Sequence, residues 1–342
     1  MNKKDTKKRT TIKDVAKLAG VTIGTVSHVI NETASISEQT AERVREAIKE
    51  LDYVPNNAAR NMRVKDRKVI GLLIPKLSNN FYSGIISSFM ERANRENYIV
   101  LIVSYEYSLQ KEKEAINTLI KNNVGVVIVF NGCGDEKYIR SMIDKDVGII
   151  FADRRTDMTD VSYVQFENKK VMSDAVGFLK EKGYKKIGYI SEPLSIINVK
   201  DRYDGYVDAL KIHGFEFNED NVYISESFVK GHMKNGYSYM KELLDKKEKV
   251  DLPDAFIASS DSLAIGVIKA IREKGYKIPG DIGVVGCDNI DFGSYMEPAL
   301  TTIDQDRNKM EEGMWELIEN YEAGMKPKHI TLDQKLIIRE SC

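Results

Sequence analysis

Between residues 11 and 52, apolar residues recur at helical spacing in three short segments. Ile12, Val15, Ala16 and Ala19 form the first apolar stripe, and Gly20 follows them as a residue that commonly ends a helix. The pattern therefore predicts three short amphipathic helices. The second and third stripes are Val26, Val29 and Ile30, and Val44, Ala47, Ile48 and Leu51.

Polar residues suited to begin a helix precede each segment. Thr11 and Asp14 have the spacing of a capping box, and Thr22 and Ser37 stand where they can cap the second and third helices. A capped helix, a glycine-containing turn and a second short helix are typical of a helix-turn-helix. The same pattern also fits a small three-helix bundle with no DNA-binding role.

A proline marks the end of this helical region. Pro55 breaks the third helix and can occupy the first position of another. Residues 56–63 make only about two turns, and a helix that short is marginal in water. Residues 64–68 form a polar tether, so we expect a boundary between two parts of the chain here.

From Val69 onwards, short apolar runs alternate with amphipathic segments. Such alternation is typical of buried parallel strands joined by helices, and it predicts a body of two α/β lobes. The predicted strands are 69–74, 98–103, 124–130, 147–152, 186–190, 255–259 and 281–286. The predicted helices lie near 81–96, 110–122, 168–182, 200–213, 234–246, 262–274 and 308–323.

Charge separates the two parts of the chain. The whole chain carries a net charge of −1, but residues 1–68 hold 15 Lys and Arg against 9 Asp and Glu. The N-terminal part is therefore basic, and the remainder, with 36 basic and 43 acidic residues, is acidic. A basic module on an acidic body indicates that the small end meets an anion such as nucleic acid. A solvated basic leader is the alternative.

Several functional classes find no support in the sequence. The three cysteines have no CxxC spacing, the four histidines are scattered, and no GxGxxG, GxxxxGK[ST], HExxH or GxSxG motif occurs. No apolar run approaches the ~18 residues of a membrane helix, and the first five residues are too polar for a secretory signal. We expect a soluble cytoplasmic protein that is not an enzyme and uses no metal or cofactor.

Three acids follow predicted strands of the body. Asp153, Asp261 and Asp288 lie near the carboxyl ends of strand-like runs, where doubly wound sheets bind their ligands. Carboxylates there can accept hydrogen bonds from a polyhydroxylated or amine-bearing ligand. They can equally be helix caps and loop acids.

Several motifs in order resemble the lac/galactose-repressor family. In the N-terminal part they are TIKDVAKLAGVTIGTVSHVIN (11–31), SEQT (37–40) and LDYVPN (51–56). In the body they are IGLLIP (70–75), NFY (80–82), KGYKKIG (182–188), RYDGY (202–206), SDSLAIG (260–266), VVGCDN (284–289) and ALTTIDQ (299–305). The resemblance spans nearly the whole chain from Thr10. It implies an all-α helix-turn-helix domain with a hinge helix, followed by a periplasmic-binding-protein-like body of two doubly wound lobes.

The resemblance also implies domain boundaries and partners. The DNA-binding domain is expected at 10–55, the hinge helix and linker at 56–68, and the effector-binding and dimerisation domain at 69–342. The first lobe is expected at about 69–167 and 305–334, and the second at about 168–304 and 335–342. We expect a homodimeric repressor of a pseudo-palindromic double-stranded DNA operator, controlled by a small-molecule effector. Family frequency favours a carbohydrate effector.

The resemblance assigns DNA-contacting positions. Gly24 has no side chain with which to read a base, and His28 stands where arginine is common. Met62 occupies the hinge position from which an apolar side chain wedges into a base step, with Ala59 one turn earlier. The full set is Thr22, Ile23, Gly24, Thr25, Ser27, His28, Ser37, Thr40, Asn56, Ala59, Met62 and Arg63.

Six effector-binding positions follow from the same resemblance: Phe81, Tyr82, Arg202, Ser260, Asp261 and Asp288. Two of them have plain structural alternatives, because Asp261 can cap the helix near 262–274 and Phe81 can belong to the core. For the whole chain, the alternative is a cytoplasmic sugar-binding or hydrolytic α/β protein whose basic leader does not bind DNA specifically.

Overall fold

Helical spacing in the N-terminal part produces three helices around one small core. The computed structural model describes residues 10–31, 34–53, 68–132, 135–143 and 147–342. The helices are α1 (Ile12–Ala19), α2 (Ile23–Asn31) and α3 (Glu38–Glu50). Each contributes one fully buried valine to the core, and these are Val15, Val26 and Val44. The three predicted helices are confirmed, and they form one compact unit of the chain, while the residues from 68 onwards form a second.

The ends of these helices follow the sequence prediction with one exception. The Asp14 carboxylate accepts a hydrogen bond from the Thr11 amide at 2.9 Å, and Gly20 ends α1 at a φ of 66°. The Thr22 hydroxyl accepts from the Thr25 amide at 3.1 Å and so caps α2. Ser37 stands at the cap position of α3, but its hydroxyl donates to the Thr40 hydroxyl instead of accepting from a backbone amide.

Strands and helices alternate through the larger unit. In chain order they are β1 (Val69–Ile74), α4 (Asn80–Arg95), β2 (Ile99–Ser104), α5 (Leu109–Lys121), β3 (Val126–Phe130), α6 (Glu136–Ile143), β4 (Gly148–Ala152), β5 (Ser162–Phe166), α7 (Asn168–Glu181), β6 (Ile187–Ser191), α8 (Ile197–His213), β7 (Val222–Ile224), α9 (His232–Lys246), β8 (Ala255–Ala258), α10 (Asp261–Glu273), β9 (Gly283–Cys287), α11 (Asp291–Tyr295), β10 (Thr301–Asp304), α12 (Arg307–Glu322), β11 (His329–Leu332) and β12 (Lys335–Ile337).

Two six-stranded sheets define two lobes. The first lobe holds the parallel sheet β11-β5-β4-β3-β1-β2, and the second holds β12-β10-β9-β8-β6-β7, in which only the β10–β12 pair is antiparallel. Buried apolar residues cover both faces of each sheet. This two-lobe body of parallel sheets, behind a small helical region, is the predicted fold class.

The chain passes from one sheet to the other three times. It crosses after β5, returns after β10, and crosses again between β11 and β12. The C-terminal residues therefore supply an edge strand to each sheet. Gln305 lies at the second crossing, directly after β10.

The apolar pattern failed to predict five strands and two helices. The strands β5, β7, β10, β11 and β12 have three to five residues each, and β5 alternates buried with half-buried positions. Runs this short carry little periodicity. The helices α6 and α11, with eight and five residues, were missed as well.

Candidate functional site

Residues from both lobes enclose a cavity at the carboxyl ends of the strands. The first lobe contributes Asn79, Phe81, Tyr82, Tyr107, Asn131 and Asp153. The second lobe contributes Glu192, Ile196, Asn198, Val199, Arg202, His232, Ser259, Ser260 and Asp288. The volume is about 30 Å³, which is room for about two water molecules. This is the edge at which doubly wound sheets bind their ligands.

Five of the six predicted effector residues line this cavity. They are Phe81, Tyr82, Arg202, Ser260 and Asp288. Phe81 also belongs to the apolar core, because its ring packs near Phe166 with the centroids 6.3 Å apart. Phe81 therefore lines the cavity and belongs to the core at the same time.

Asp261 lies outside the cavity lining. It is fully buried at the start of α10, where its carboxylate accepts from the Ile290 amide at 2.9 Å and from the Thr302 hydroxyl at 2.5 Å. These bonds attach α10 to β10 and to the segment before α11. Each oxygen of Asp261 thus has a protein donor, and the carboxyl is not among the groups that line the cavity.

Asp153 presents a free acceptor from the first lobe. Its Oδ2 accepts from Asn198 Nδ2 at 2.7 Å, from the Tyr82 hydroxyl at 3.3 Å and from Asn131 Nδ2 at 3.4 Å. Its Oδ1, like Oδ1 of Asn131, is buried and has no hydrogen-bond partner within the described part of the chain. Two acceptors in this state indicate a ligand that donates hydrogen bonds to the first lobe.

Arg202 holds the second-lobe wall together. Its Nε donates to Asn168 Oδ1 at 2.9 Å, its Nη1 to the Ser259 carbonyl at 2.6 Å and its Nη2 to Gln305 Oε1 at 3.5 Å. Gln305 in turn donates to Asp288 Oδ1 at 2.6 Å. Arg202 thus fixes the orientation of Asp288 through Gln305. Burial, and then the charge of Asp261, raise the pKa of Asp288 well above its ordinary range.

Backbone strain is concentrated around the cavity. Tyr107, Asn131, Asp153 and Asp288 all have positive φ, at 56°, 58°, 59° and 127°. Residues other than glycine adopt this region rarely, and when they do they are often at functional sites. Each of the four follows the carboxyl end of a strand. The strained turns aim their side chains from the strand ends into the cavity.

Several lining residues escaped the sequence prediction, among them Tyr107, Asn131, Glu192 and His232. Tyr107, Asn131 and Glu192 each follow a strand, as the three aspartates of the sequence analysis do. Including every polar residue after a strand, and not aspartates alone, would have predicted all three. His232 begins α9, and nothing in the local sequence marks it. The structure therefore extends the candidate site to residues outside the resembling motifs.

Direct contacts close the two lobes on each other. Besides the Asn198–Asp153 bond, Arg155 donates to both carboxylate oxygens of Asp201 at 3.1 Å. On the opposite side, the Lys76 ammonium donates to the carbonyl of Lys230 at 2.6 Å. Ligand sites in proteins are typically about 300–1,000 Å³. The lobes must separate before a ligand can enter.

The pKa of Asp153 predicts a pH dependence of stability. Burial raises this pKa to about 6, against the charge of Arg202 and the three hydrogen bonds. Because the folded-state pKa lies above the ordinary value, this carboxyl favours folding below about pH 4, and the contribution is lost as the pH rises through 6. Asp153→Asn lacks this titrating group. The difference in the free energy of unfolding between the variant and wild type should therefore shift in favour of the variant by on the order of 2 kcal/mol from about pH 4 to pH 8. Urea unfolding measures this difference, and parallel pH profiles would contradict it.

The predicted DNA contacts lie on and around α2 where the structure describes them. Thr22, Ile23, Gly24 and His28 are exposed, and Thr25 and Ser27 are half-buried. Ser37 is exposed at the start of α3, with Thr40 half-buried one turn later. The other four predicted contacts, Asn56, Ala59, Met62 and Arg63, lie outside the described residues, as does the predicted hinge helix.

Two other kinds of feature are absent from the described part of the chain. No helix there is long and apolar enough to cross a membrane. Within the same residues, no group of three histidine, cysteine or acidic side chains is placed to hold a metal ion.

Family models match both parts of the chain. Residues 11–56 match the model described as bacterial regulatory proteins, lacI family. Residues 176–342 match the periplasmic binding protein-like domain. The first match covers the helix-turn-helix, and the second covers most of the second lobe together with the C-terminal elements.

Relatives and solved structures extend the similarity over the full length. The HTH-type transcriptional repressor PurR of Mannheimia succiniciproducens is 32% identical over 337 residues, covering 97% of this chain and 98% of that protein. The HTH-type transcriptional regulator RegA of Clostridium saccharobutylicum is 30% identical over 336 residues, covering 97% and 99%.

The lac repressor dimer, solved with operator and the anti-inducer ONPF, aligns at 26% identity and a TM-score of 0.81, covering 98% of this chain and 99% of that one. The transcriptional regulator CelR, solved with cellobiose, aligns at 28% identity and a TM-score of 0.71, covering 98% and 100%. With its helix-turn-helix, its two-lobe body and these full-length relatives, the chain belongs to the lacI family of bacterial regulatory proteins and is a DNA-binding transcriptional repressor.

Proposed function

We propose that this repressor binds a pseudo-palindromic operator as a homodimer and that a carbohydrate bound between the lobes controls its affinity for that operator. The observation that carries the carbohydrate assignment is the pair of buried acceptors without partners, Asp153 Oδ1 and Asn131 Oδ1. A sugar carries several hydroxyl donors, which are the partners that such acceptors lack.

The remaining lining residues support the same ligand class. Asp288 adds a carboxylate acceptor from the second lobe, and Phe81 and Tyr82 add aromatic rings against which the apolar face of a sugar ring can pack. A planar base would pair with a mixture of donors and acceptors, whereas this cavity offers mainly acceptors. The similarity to a regulator solved with cellobiose points in the same direction.

The mechanism we propose is a shift between two states of the sensor body. A ligand that bridges Asp153 and Asp288 binds both lobes and so favours one angle between them. Within a dimer, that angle would favour or disfavour the arrangement of the two DNA-binding segments that fits the operator.

We assign DNA reading to 10–55, the hinge and linker to 56–68 and sensing with dimerisation to 69–342. The first sensor lobe is about 69–167 with 305–334, and the second about 168–304 with 335–342. The repressor would act in the cytoplasm, at the nucleoid.

A binding screen on the full chain tests the proposed effector class. Thermal unfolding is followed with neutral sugars, sugar phosphates and purines, and the compounds that stabilise the protein are then added to the operator complex in a footprinting assay. We expect a neutral sugar to raise the melting temperature and to change the protection of a palindromic site. Stabilisation by purines alone would overturn the carbohydrate assignment, and failure to protect any palindrome would overturn operator binding.

The exposed Ile23 side chain gives a test of DNA reading. Ile23 begins α2, the helix on which most of the described DNA contacts are predicted, and leaves 44% of its surface accessible. We propose that it contacts a thymine methyl group in the major groove. Ile23→Ala should weaken operator binding by about fivefold, near ~1 kcal/mol, while non-specific binding and stability stay unchanged.

Leu18 supplies the matched control for this test. It lies on α1 and has a similar exposure of 46%. Leu18→Ala removes the same kind of surface outside the predicted DNA contacts, so a fluorescence titration should give the wild-type operator affinity. Equal losses of operator affinity in the two variants would show that Ile23 does not read a base.

A further inference from the structure

The two acceptors without partners belong to a short chain of hydrogen bonds in the first lobe. Asn131 Nδ2 donates to the Tyr82 hydroxyl oxygen at 2.5 Å, and that hydroxyl donates to Asp153 Oδ2 at 3.3 Å. Asn131 Nδ2 also donates to Asp153 Oδ2 at 3.4 Å. Within this group of described side chains, the acceptors that remain without a partner are therefore Oδ1 of Asn131 and Oδ1 of Asp153.

The single proton of the Tyr82 hydroxyl gives this chain its direction. A phenol carries one proton, and here the hydroxyl donates it to Asp153. Towards Asn131 the phenol oxygen can therefore only accept, so it requires the NH₂ side of the amide. Burial, and then the charge of Asp153, raise the pKa of Tyr82 well above its ordinary value, so the hydroxyl keeps its proton near neutral pH.

The opposite orientation of the Asn131 amide is unfavourable. Turning the amide over would place Oδ1 against the phenol oxygen of Tyr82 and against Asp153 Oδ2, so two pairs of acceptors would face each other. Burial raises the pKa of Asp153 to about 6, so at about pH 8 the carboxyl is ionised and both of its oxygens accept. Asn131 is thus held with Oδ1, and not Nδ2, available to a ligand.

The backbone around Asn131 is fixed as well. Asn131 and Gly132 both have positive φ, at 58° and 55°. Arg154 Nη1 donates to both of their carbonyls at 2.8 Å, and the Tyr105 hydroxyl accepts from the Gly132 amide at 3.1 Å. Because two side chains hold this turn, the main freedom left to Asn131 is the rotation of its amide, which Tyr82 opposes.

We propose that the Tyr82 hydroxyl acts as a positioning group for specificity: it orients the Asn131 amide so that the first lobe recognises hydrogen-bond donors of the effector and rejects acceptors. Asn131 Oδ1 and Asp153 Oδ1 then require two donating groups on the sugar. An analogue with only an acceptor at either place leaves a buried protein acceptor unpaired. The inference rests on the proposed function, because the ligand it describes is a carbohydrate, and it adds the polarity of the contact and the residue that determines it.

The first experiment uses the unaltered full chain and sugars in which fluorine replaces one hydroxyl. Fluorine is close to a hydroxyl in size but cannot donate a hydrogen bond. Glucose, galactose, ribose and cellobiose are titrated calorimetrically at about pH 8, followed by the single deoxyfluoro derivatives of the sugar that binds most tightly. We expect fluorine at two or more positions to lower the affinity by about tenfold or more.

The outcomes of this experiment separate the inference from the proposed function. If a sugar binds and no fluorine substitution weakens it, the donor requirement is overturned and the carbohydrate assignment stands. If none of the four parent sugars binds, the carbohydrate assignment is overturned, and this inference with it.

The second experiment assigns the donor requirement to Tyr82. Tyr82→Phe removes the hydroxyl and keeps the ring, which packs edge-on against Phe130 with the centroids 5.3 Å apart. The Asn131 amide can then turn Nδ2 towards the ligand, so the affinity loss caused by fluorine at one of the sensitive positions should shrink by about fivefold or more. A purely structural effect would change the affinities for the parent sugar and its fluoro derivative equally. An unchanged ratio of these two affinities overturns the role of Tyr82.

Tyr206→Phe is the matched control for this variant. Tyr206 is also buried, and its hydroxyl donates to the Ile187 carbonyl at 2.9 Å, outside the cavity lining. The control should keep the wild-type affinity ratio, and an equal change in both variants overturns the role of Tyr82.

Asn131→Ala supplies a second variant that does not depend on the folding of Tyr82→Phe. It removes the oriented acceptor itself, so the affinity loss caused by fluorine at the same position should disappear. If that loss persists at every sensitive position, Asn131 is not the acceptor that the sugar meets, and the inference is overturned.

Discussion

Arg202→Ala is expected to lower the free energy of unfolding of the α/β unit by about 3–5 kcal/mol near neutral pH. Arg202 leaves only 4% of its surface accessible and donates to three protein acceptors, including the carbonyl of Ser259. Its removal leaves those acceptors unpaired. It also removes the positive charge that offsets the buried carboxylates of Asp153 and Asp288.

The loss should depend on pH in a defined direction. Without Arg202, the pKa values of Asp153 and Asp288 should rise further above their ordinary values. Protonation of these two carboxyl groups then stabilises the variant as the pH falls. The loss in the free energy of unfolding relative to wild type should therefore shrink towards about pH 5. Urea unfolding at several pH values measures both the loss and its pH dependence.

Arg155→Ala is the matched control for Arg202→Ala. Arg155 also makes a two-bond contact with a carboxylate, that of Asp201, but its side chain is 46% accessible. Although Asp201 is buried, the Arg155 guanidinium is half exposed, so water screens the pair and its loss should cost only about 1 kcal/mol. If the two variants lose equal stability, the interior network around Arg202 does not have the role proposed here.

Asp288→Ala should abolish the effector response and leave operator binding intact. Asp288 lines the cavity on a strained turn and is oriented by Gln305. We expect the affinity for a stabilising sugar to fall by about a hundredfold, close to ~3 kcal/mol, because the buried hydrogen-bond donors of the ligand would stay unpaired. Calorimetric titration measures the sugar affinity, and a gel-shift assay measures the operator affinity.

Asp291→Asn provides the control in the neighbouring helix. Asp291 begins α11 and pairs on the surface with Arg307 at 2.5 Å, outside the cavity lining. Its loss of charge should leave both affinities unchanged. If Asp288→Ala still released its operator with the wild-type sugar, Asp288 would not be an effector contact. Weakened operator binding in that variant without sugar would indicate a structural role instead.

The local pattern of the chain was enough to predict most of the elements. Spacing of three and four residues placed the three N-terminal helices, because the apolar face of each helix is set by residues adjacent along one turn. The six buried residues of β1 were likewise visible as one apolar run. The strand β5, with its alternating burial, and the three-residue β7 and β12 left no such pattern and were missed.

Hydrogen bonds to the polar residues depended on tertiary contacts that the sequence does not show. Asp261 and Asp288 both follow a strand, but Thr302 and the Ile290 amide occupy Asp261 and turn it away from the cavity. Competing partners from distant segments decide which polar group stays available.

The class of the protein could be predicted from its residues alone: they indicate a basic helix-turn-helix, a two-lobe α/β body and motifs that resemble the lac/galactose-repressor family. The composition of the site, in contrast, depends on how the elements pack. Asn131, Asp153, Glu192 and His232 are far apart in the chain, and they meet because the strand order of each sheet brings the carboxyl ends of its strands to one edge. The closing of the lobes then buries these groups together. Sequence periodicity reports which face of an element is buried, whereas the partners of a buried polar group depend on strand order and crossings that act over the whole chain.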